Sequence, residues 1–117
     1  FDSGVEAYHD IKAKGIKDIA VFCSNDVMSF GFMREAIHDG KHIPHDFAIS
    51  GYDDLPFSKN YNPSLTSIST DFFKLGKYAL KQILKQIEDN DNDEEHVSLV
   101  PVSLIPREST TGEKTTH

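Results

Sequence analysis

Polar side chains follow two apolar segments of the chain, at the points where strands would end. Asn25 comes just after DIAVFC (18–23), and Asp53 comes directly after FAISGY (47–52). In an open parallel α/β sheet, ligands bind beyond the carboxyl ends of the strands, so Asn25 and Asp53 are expected at one edge. A carboxylate accepts two hydrogen bonds, and an amide both donates and accepts. The pair therefore suits the vicinal hydroxyls of a sugar or ribose, without a metal or a proton transfer.

A simpler interpretation of the same residues requires no ligand. Asn25 and Asp26 are both good helix caps and precede a predicted helix. Asp53 and its neighbour Asp54 are equally suited to begin a turn. The residues by themselves leave the binding site and the cap-and-turn interpretation open.

Other groups of polar residues do not form a recognisable metal site. His38, His42 and His45 lie close in sequence, but no cysteine or fourth ligand follows in a metal-binding pattern. The acidic run 89–93 resembles the start of a calcium loop, yet Glu94 replaces the turn glycine and Val100 stands where glutamate is needed. No metal or other cofactor is therefore predicted, and the acidic run is interpreted as a solvated loop.

Nucleophilic catalysis is also not indicated. Cys23 ends a predicted strand with no evident base beside it, and the chain has no G-x-S-x-G elbow. The sequence therefore predicts a binding protein and not an enzyme.

Helices and strands alternate along the sequence. Helices are predicted over 5–15, 26–39 and 71–89, strands over 18–23, 47–52 and 65–69, and an extended segment over 97–105. Pro101 excludes that last segment from a central position in a sheet. The alternation predicts an α/β fold, with a Rossmann-like parallel sheet flanked by helices.

Two of the helices have informative apolar faces. The long helix over 71–89 has one apolar face and a cluster of lysines on the opposite face, which predicts one buried and one solvated side. The apolar face consists of Phe72, Leu75, Gly76, Ala79, Leu80, Ile83 and Ile87. The helix over 26–39 is apolar on two sides, with Met28, Phe32 and Ala36 on one and Val27, Phe30, Met33 and Ile37 on the other. One side is expected on the sheet. The other is expected on a partner subunit or on the remainder of a larger protein.

Composition restricts the protein class. The 117 residues are enough for one domain or for a piece of a larger protein. With 19 acidic and 12 basic residues, the net charge of −7 predicts that this chain alone does not bind DNA. A single cysteine excludes an internal disulfide, which favours a cytoplasmic location. The apolar runs are too short for a bilayer, and no signal peptide is recognised.

Five motifs occur in order along the chain. They are N-D-x-x-x-x-G from Asn25, G-x-x-x-P-x-D-x-x-x-x-G-Y-D-D from Gly40, P-x-L-T-[ST]-I from Pro63, x-L-G-x-x-A from Lys74, and R-x-S-T from Arg107. Together they resemble the carboxyl-terminal part of the effector-binding region of the LacI/GalR family of bacterial transcription regulators. The resemblance covers about Phe1 to Thr110 and is specific because all five motifs keep their order.

The resemblance implies a fold and a domain plan. The fold would be a partial periplasmic-binding-protein-like (type I) fold over residues 1–110, with a crossover between subdomains near residue 69. The amino-terminal helix-turn-helix of the family is not recognised in this chain. From its composition, the tail over 111–117 is predicted to be disordered.

The resemblance also assigns roles to individual residues. Asn25 and Asp53 would bind the effector's hydroxyls, while Asp54 would be a structural turn residue. Thr70 would supply a further polar contact, and Phe72 an aromatic ring against the ligand. In the family, the helix after Asn25 and the loop before the P-x-L-T segment form the subunit interface, which would place Phe30 and Tyr61 there.

These observations predict the effector-sensing, dimerising part of a cytoplasmic LacI-type regulator that binds a small sugar-like ligand. DNA would be bound only through the absent headpiece, and no membrane would be involved. Two alternatives remain at this stage: a secreted, type I periplasmic-like sugar-binding protein, and, less favoured, an α/β enzyme.

Overall fold

The structure, a computed structural model, describes residues 1–88 and 98–114, and the chain divides into two units. The first unit contains Phe1–Ser69 and the returning segment that begins at Leu104. The second unit runs over Thr70–Ser103.

The order of helices and strands follows the predicted alternation. The elements are α1 (Asp2–Ala13), β1 (Ile19–Phe22), α2 (Asp26–His38), β2 (Phe47–Ser50), β3 (Ser67–Thr70), α3 (Phe72–Glu88), β4 (Val102–Ile105) and α4 (Glu108–Thr111). The strands are shorter than predicted, and α1 begins three residues earlier than predicted. β4 starts directly after Pro101, as expected for a residue that cannot donate to a ladder. The acidic run 89–93 lies outside the described residues.

The strands of the first unit confirm the predicted fold class. β1 and β2 pair in parallel, with Ile19 opposite Phe47 and Phe22 opposite Ser50. Isolated parallel bridges follow at the end of β2. Ser50, the last residue of β2, pairs with Thr66, and Asp53 pairs with Ser69. β3 and β4 form a second, two-stranded sheet. The parallel strands and the alternating helices are those of an α/β fold.

The core of the first unit lies where α1 and α2 pack against β2. Phe32, on α2, contacts Tyr8 of α1 and Phe47 of β2 edge to face, with ring centroids 5.5 and 5.6 Å apart. Phe32, Met33 and Ala36 are fully buried. The two apolar sides of α2 are thus largely covered by the chain itself, while Val27 and Ile37 stay exposed.

A glycine allows α1 and α2 to approach closely. A Cβ atom added at Gly4 would overlap the Met28 carbonyl oxygen and would lie 2.8 Å from the Phe32 nitrogen. Both obstacles are backbone atoms, so they cannot rotate away as a flexible side chain could. The contact between the two helices therefore requires glycine at this position.

Two expectations about burial are wrong for this chain. The apolar face of α3 is exposed along its length, and no residue of that helix is buried. The sheet was expected to be flanked by helices, but Phe22 of β1 is 63% exposed. In both cases the apolar side chains stay exposed within the described part of the chain.

The carboxyl-terminal residues also differ from prediction. Thr111 is the last residue of α4, and Gly112 caps that helix with φ +72°. The disorder predicted to begin at residue 111 is therefore wrong for these two residues. Residues 115–117 of the predicted tail lie outside the described part of the chain.

A polar cluster joins the end of α2 to α1. The Tyr8 hydroxyl donates to Asp39 at 2.5 Å, and the Lys12 ammonium lies 2.9 Å from the same carboxylate. The hydrogen bond from Tyr8, followed by that from Lys12, lowers the pKa of Asp39 below its ordinary 3.8. Burial, with the Asp39 carboxylate beside it, raises the pKa of Tyr8 to about 12.

We expect Gly4→Ala to lower the free energy of unfolding of the first unit by about 1–3 kcal/mol, because the added methyl group forces α1 away from α2. Urea denaturation followed by circular dichroism measures the change. Gly76→Ala is the matched control, since no atom lies within 4 Å of its added Cβ and alanine favours the helix. Equal stability of Gly4→Ala and the wild type would contradict the close packing.

The polar cluster also predicts a pH dependence of stability. Because the pKa of Asp39 is lower in the folded state, its contribution is fully present above about pH 4 and is lost as pH falls through the folded pKa. Asp39→Asn should therefore lose less stability on acidification than the wild type does. Thermal melts at pH 3, 4 and 6 test this, and parallel losses in both proteins would contradict it.

Candidate functional site

Asn25 is the N-cap of α2, at the carboxyl end of β1. Its Oδ1 atom accepts a hydrogen bond from the Met28 N–H at 2.8 Å. The capping interpretation is therefore correct for the oxygen of this side chain. The amide nitrogen is a separate donor on the same half-exposed side chain, so capping does not exclude ligand binding.

Asp53 lies at the carboxyl end of the β2 segment, in an unusual backbone conformation. Its φ is +116°, and its N–H donates to the Ile68 carbonyl oxygen at 3.0 Å. Its side chain is half-exposed and makes no hydrogen bond or ion pair with another described residue. The preceding residue, Tyr52, accepts a hydrogen bond at 3.0 Å from the N–H of Asp26, which follows Asn25. One backbone hydrogen bond thus joins the segments that carry Asn25 and Asp53.

Asp54 has the structural role expected for it. One carboxylate oxygen lies 2.7 Å from an Arg107 guanidinium nitrogen, and its N–H donates to Ser67 Oγ at 3.0 Å. Its φ is +52°. The two adjacent aspartates therefore differ. The Asp54 carboxylate pairs with Arg107, whereas the half-exposed Asp53 side chain has no hydrogen-bond or ion-pair partner among the described residues.

Asp26 is a fully buried carboxylate that sequence reasoning treated only as a possible cap. It accepts hydrogen bonds from the Leu55 N–H at 2.8 Å, from Ser58 Oγ at 2.5 Å and from Ser67 Oγ at 2.6 Å. These donors are 29, 32 and 41 residues away along the chain. No local spacing could have predicted the network, and the only sequence signal was the N-D block itself.

The R-x-S-T motif fixes the returning segment to the first unit. The Arg107 guanidinium donates to the Leu65 carbonyl oxygen at 2.9 Å, and the Arg107 N–H donates to Thr66 Oγ1 at 2.7 Å. Ser109 Oγ donates to the Ile49 carbonyl oxygen of β2 at 2.6 Å. The sequence identified Arg107 only as part of a motif, and the structure shows that its side chain is 91% buried and pairs with Asp54.

Thr70 and Phe72 are in the second unit. Thr70 is the last residue of β3 and is half-buried, and Phe72 is the first residue of α3 and is 56% exposed. Asp71, between them, caps α3 by accepting from the Lys74 N–H at 3.0 Å. In the first unit, the hydrogen bond from the Asp26 N–H to the Tyr52 carbonyl oxygen joins the segments that carry Asn25 and Asp53. Thr70 and Phe72 belong to the second unit.

Phe30 and Tyr61 contact each other within the chain. Their ring centroids are 4.8 Å apart, and the Tyr61 hydroxyl donates to the Phe30 carbonyl oxygen at 3.3 Å. Phe30 is only 8% exposed, whereas Phe57, which packs edge to face against it, is 60% exposed. This aromatic cluster of Phe30, Phe57 and Tyr61 presents mainly Phe57 to solvent.

The site has the chemistry of binding by hydrogen bonds. Within the described residues, no three His, Cys, Asp or Glu side chains converge as metal ligands. Burial raises the pKa of the Cys23 thiol, which disfavours the reactive thiolate. The amide of Asn25 and the carboxylate of Asp53 remain, as a donor and a double acceptor for polar groups of a ligand.

A pocket of about 180 Å³ lies elsewhere, at the amino ends of the strands. It is lined by Tyr8, Lys12, Gly15, Ile16, Lys17, Lys41 and Phe47. It contains neither Asn25 nor Asp53 and therefore does not enclose the candidate site.

Across residues 1–88 and 98–114, each helix is too short or too polar to span a lipid bilayer.

Comparison with known proteins agrees with the motifs. The periplasmic binding protein-like domain family matches residues 2–110. The transcriptional repressor PurR of Pectobacterium atrosepticum is 34% identical over 108 residues, which are 92% of this chain and 31% of the repressor. The regulator NtdR of Bacillus subtilis is 29% identical over 93% of this chain and 33% of its own length. The chain thus spans about a third of the length of these relatives.

Solved structures show the same similarity. A lac repressor dimer bound to operator and the anti-inducer ONPF matches with a TM-score of 0.81 and 33% identity, over 92% of this chain and 37% of that one. A LacI family regulator from Enterococcus faecium with bound ribose matches with a TM-score of 0.77 and 32% identity, over 95% and 40%. The ordered motifs, the parallel α/β fold and these matches agree, and the chain belongs to the LacI/GalR family of transcription regulators, as part of its periplasmic-binding-protein-like domain.

Proposed function

We propose that this chain is the carboxyl-terminal part of an effector-binding domain in which Asn25 and Asp53 bind hydroxyl groups of a small sugar-like ligand. The observation that carries the proposal is the free carboxylate of Asp53. Neighbouring residues are fixed by the protein's own hydrogen bonds, whereas the Asp53 carboxylate has no hydrogen-bond or ion-pair partner among the described residues. A binding residue requires this combination of a rigid backbone and an available side chain.

A sugar is favoured over other ligands by the donor and acceptor set. A carboxylate that accepts two hydrogen bonds beside an amide that donates matches a pair of adjacent hydroxyls. The matched regulator from Enterococcus faecium contains ribose, which has such hydroxyls. Binding of this kind changes no covalent bond, so the proposed activity is not enzymatic.

Thr70 and Phe72 are proposed as further ligand contacts. The exposed ring of Phe72 offers an apolar surface of the kind that packs on the apolar face of a sugar. The Thr70 hydroxyl can donate to or accept from a ligand oxygen. The structure describes both residues only within the second unit, so these contacts are proposed from the family resemblance.

The chain is also proposed to dimerise through the aromatic cluster. Phe57 and Tyr61 would form the contact, while Phe30, largely buried, would support their rings from behind. The neighbouring Val27 is exposed as well, which extends the apolar surface. The matched lac repressor structure is a dimer.

The regulatory output is proposed to arise outside these 117 residues. The net charge of −7 disfavours DNA binding by this chain itself. Ligand binding would shift the equilibrium between two arrangements of the complete regulator and so change its affinity for DNA. Since its target is bacterial DNA, the regulator would act in the cytoplasm.

Asp53→Ala should weaken sugar binding by the complete regulator at least about tenfold. Each hydrogen bond to a charged group contributes about 1.5–3 kcal/mol, and 1.4 kcal/mol corresponds to a factor of ten. Calorimetric titration with a panel of mono- and disaccharides measures the loss. Asp10→Ala, which removes an exposed aspartate from α1, is the control and should retain full affinity. Equal affinities for the two variants would exclude Asp53 from the site.

Phe57→Ser should shift the protein toward the monomer, because it removes the most exposed ring of the proposed interface. Light scattering over a concentration series gives the association constant. Phe22→Ser, which removes an exposed ring from the open face of the sheet, serves as the control. If Phe22→Ser weakened association and Phe57→Ser did not, the interface would lie on the sheet and the proposal would be wrong.

A further inference from the structure

Three consecutive backbone amides in the loop that carries Asp53 are all hydrogen-bonded. The Asp53 N–H donates to the Ile68 carbonyl oxygen at 3.0 Å, the Asp54 N–H to Ser67 Oγ at 3.0 Å, and the Leu55 N–H to Asp26 Oδ2 at 2.8 Å. The acceptors belong to β3 and to the start of α2. The loop is thus fixed to two different elements over three successive residues.

Ser67 lies at the centre of this network. Its hydroxyl donates to Asp26 Oδ1 at 2.6 Å and accepts from the Asp54 N–H at 3.0 Å. One oxygen atom therefore links the buried carboxylate of α2 to the loop. Ser67 and Asp26 are both fully buried, so water cannot replace either bond without a change in packing.

Arg107 holds the loop from the other side. Its guanidinium pairs with the Asp54 carboxylate at 2.7 Å while it donates to the Leu65 carbonyl oxygen at 2.9 Å. Both contacts are made by Nη1, which carries two hydrogens. Arg107 lies two residues after the end of β4, so the returning part of the chain is joined to the loop.

The backbone of the loop explains why such a network is needed. Asp53 and Asp54 both have positive φ values, +116° and +52°, which are unfavourable for residues with a Cβ atom. Such conformations persist only where the surrounding structure enforces them, and they cluster at functional sites. The strained residues thus include Asp53, whose carboxylate has no hydrogen-bond partner among the described residues.

We propose that Asp26, Ser67 and Arg107 are positioning residues that hold the strained backbone at Asp53 and so direct its carboxylate toward the ligand. The inference rests on the proposed role of Asp53 and extends it, because these three side chains would set ligand affinity without touching the ligand. We call them the Asp53 clamp.

The first test uses Ser67→Ala on the 117-residue chain, with Ser69→Ala as the matched control. Both serines are on β3, and the Ser69 hydroxyl has no hydrogen bond to another described residue. Amide hydrogen exchange by NMR should become roughly tenfold faster at Asp54 in Ser67→Ala, because that amide loses its acceptor. Exchange of the α1 and α2 amides should stay within about twofold of the wild type. An unchanged rate at Asp54 would overturn the clamp.

The second test separates positioning from general stability by a double-mutant cycle on the complete regulator. Ser67→Ala should weaken sugar binding roughly tenfold in the wild type, but by less than about twofold when Asp53 is already alanine. A merely structural role for Ser67 would give the same loss in both backgrounds. That outcome, or full affinity in Ser67→Ala, would overturn the inference.

Arg107 supplies a second variant in case Ser67→Ala does not fold. Arg107→Gln removes the ion pair with Asp54, and Arg107→Lys should partly restore the affinity by retaining the charge. Arg34→Gln, which changes the chain's other arginine, controls for net charge. If Arg107→Gln lost no more sugar affinity than Arg34→Gln, Arg107 would be excluded from the clamp.

The two proposals fail in different ways. A wild-type regulator that binds no sugar in the panel overturns the proposed function, and with it the binding role of the clamp. A regulator that binds sugar with equal affinity before and after Ser67→Ala overturns only the clamp.

Discussion

The structure of the first unit depends on the buried carboxylate of Asp26. A buried polar side chain is costly unless hydrogen bonds satisfy it, and Asp26 accepts three. Its donors come from the loop after β2 and from β3, so the requirement to satisfy this one side chain brings three segments together. Gly51 contributes by lacking a side chain, since a Cβ atom there would overlap the Asp26 carboxylate.

The returning segment completes this arrangement. The Arg107 guanidinium donates to the Leu65 carbonyl oxygen, and Ser109 Oγ accepts from the Thr66 N–H and donates to the Ile49 carbonyl oxygen of β2. Thr110 Oγ1 lies 2.6 Å from Thr66 Oγ1, which adds a further polar contact at the same position. Arg107, Glu108 and Ser109 thereby satisfy backbone groups next to the sheet, and the motif is explained by hydrogen bonding and not by helix propensity. The same contacts place Arg107 beside Asp54, so support of the fold and support of the candidate site share one side chain.

Apolar surface remains uncovered in both units. The exposed side of α3 carries Phe72, Leu80, Ile83 and Ile87, and a single fully buried side chain of this type contributes about 1.5–3 kcal/mol. Helices gain most of their stability in proteins from packing of such a face. Phe22 on the sheet is likewise exposed among the described residues, and the chain spans about a third of the relatives' length.

The sequence alone determined the order of elements, the parallel α/β class and the family, because apolar periodicity, glycine stops and ordered motifs are local patterns. It also offered Asn25 as a possible helix cap, and the family resemblance implied a structural turn role for Asp54. Only the tertiary structure showed that Asp26 is buried at the centre of a network and that Arg107 supports Asp54. Their partners are 29 residues away (Leu55 from Asp26) to 53 residues away (Asp54 from Arg107), and no local pattern encodes contacts at such separations. Burial of α3 was mispredicted for the same physical reason: periodicity shows that a helix has an apolar face, but only the folded chain shows whether another element covers it.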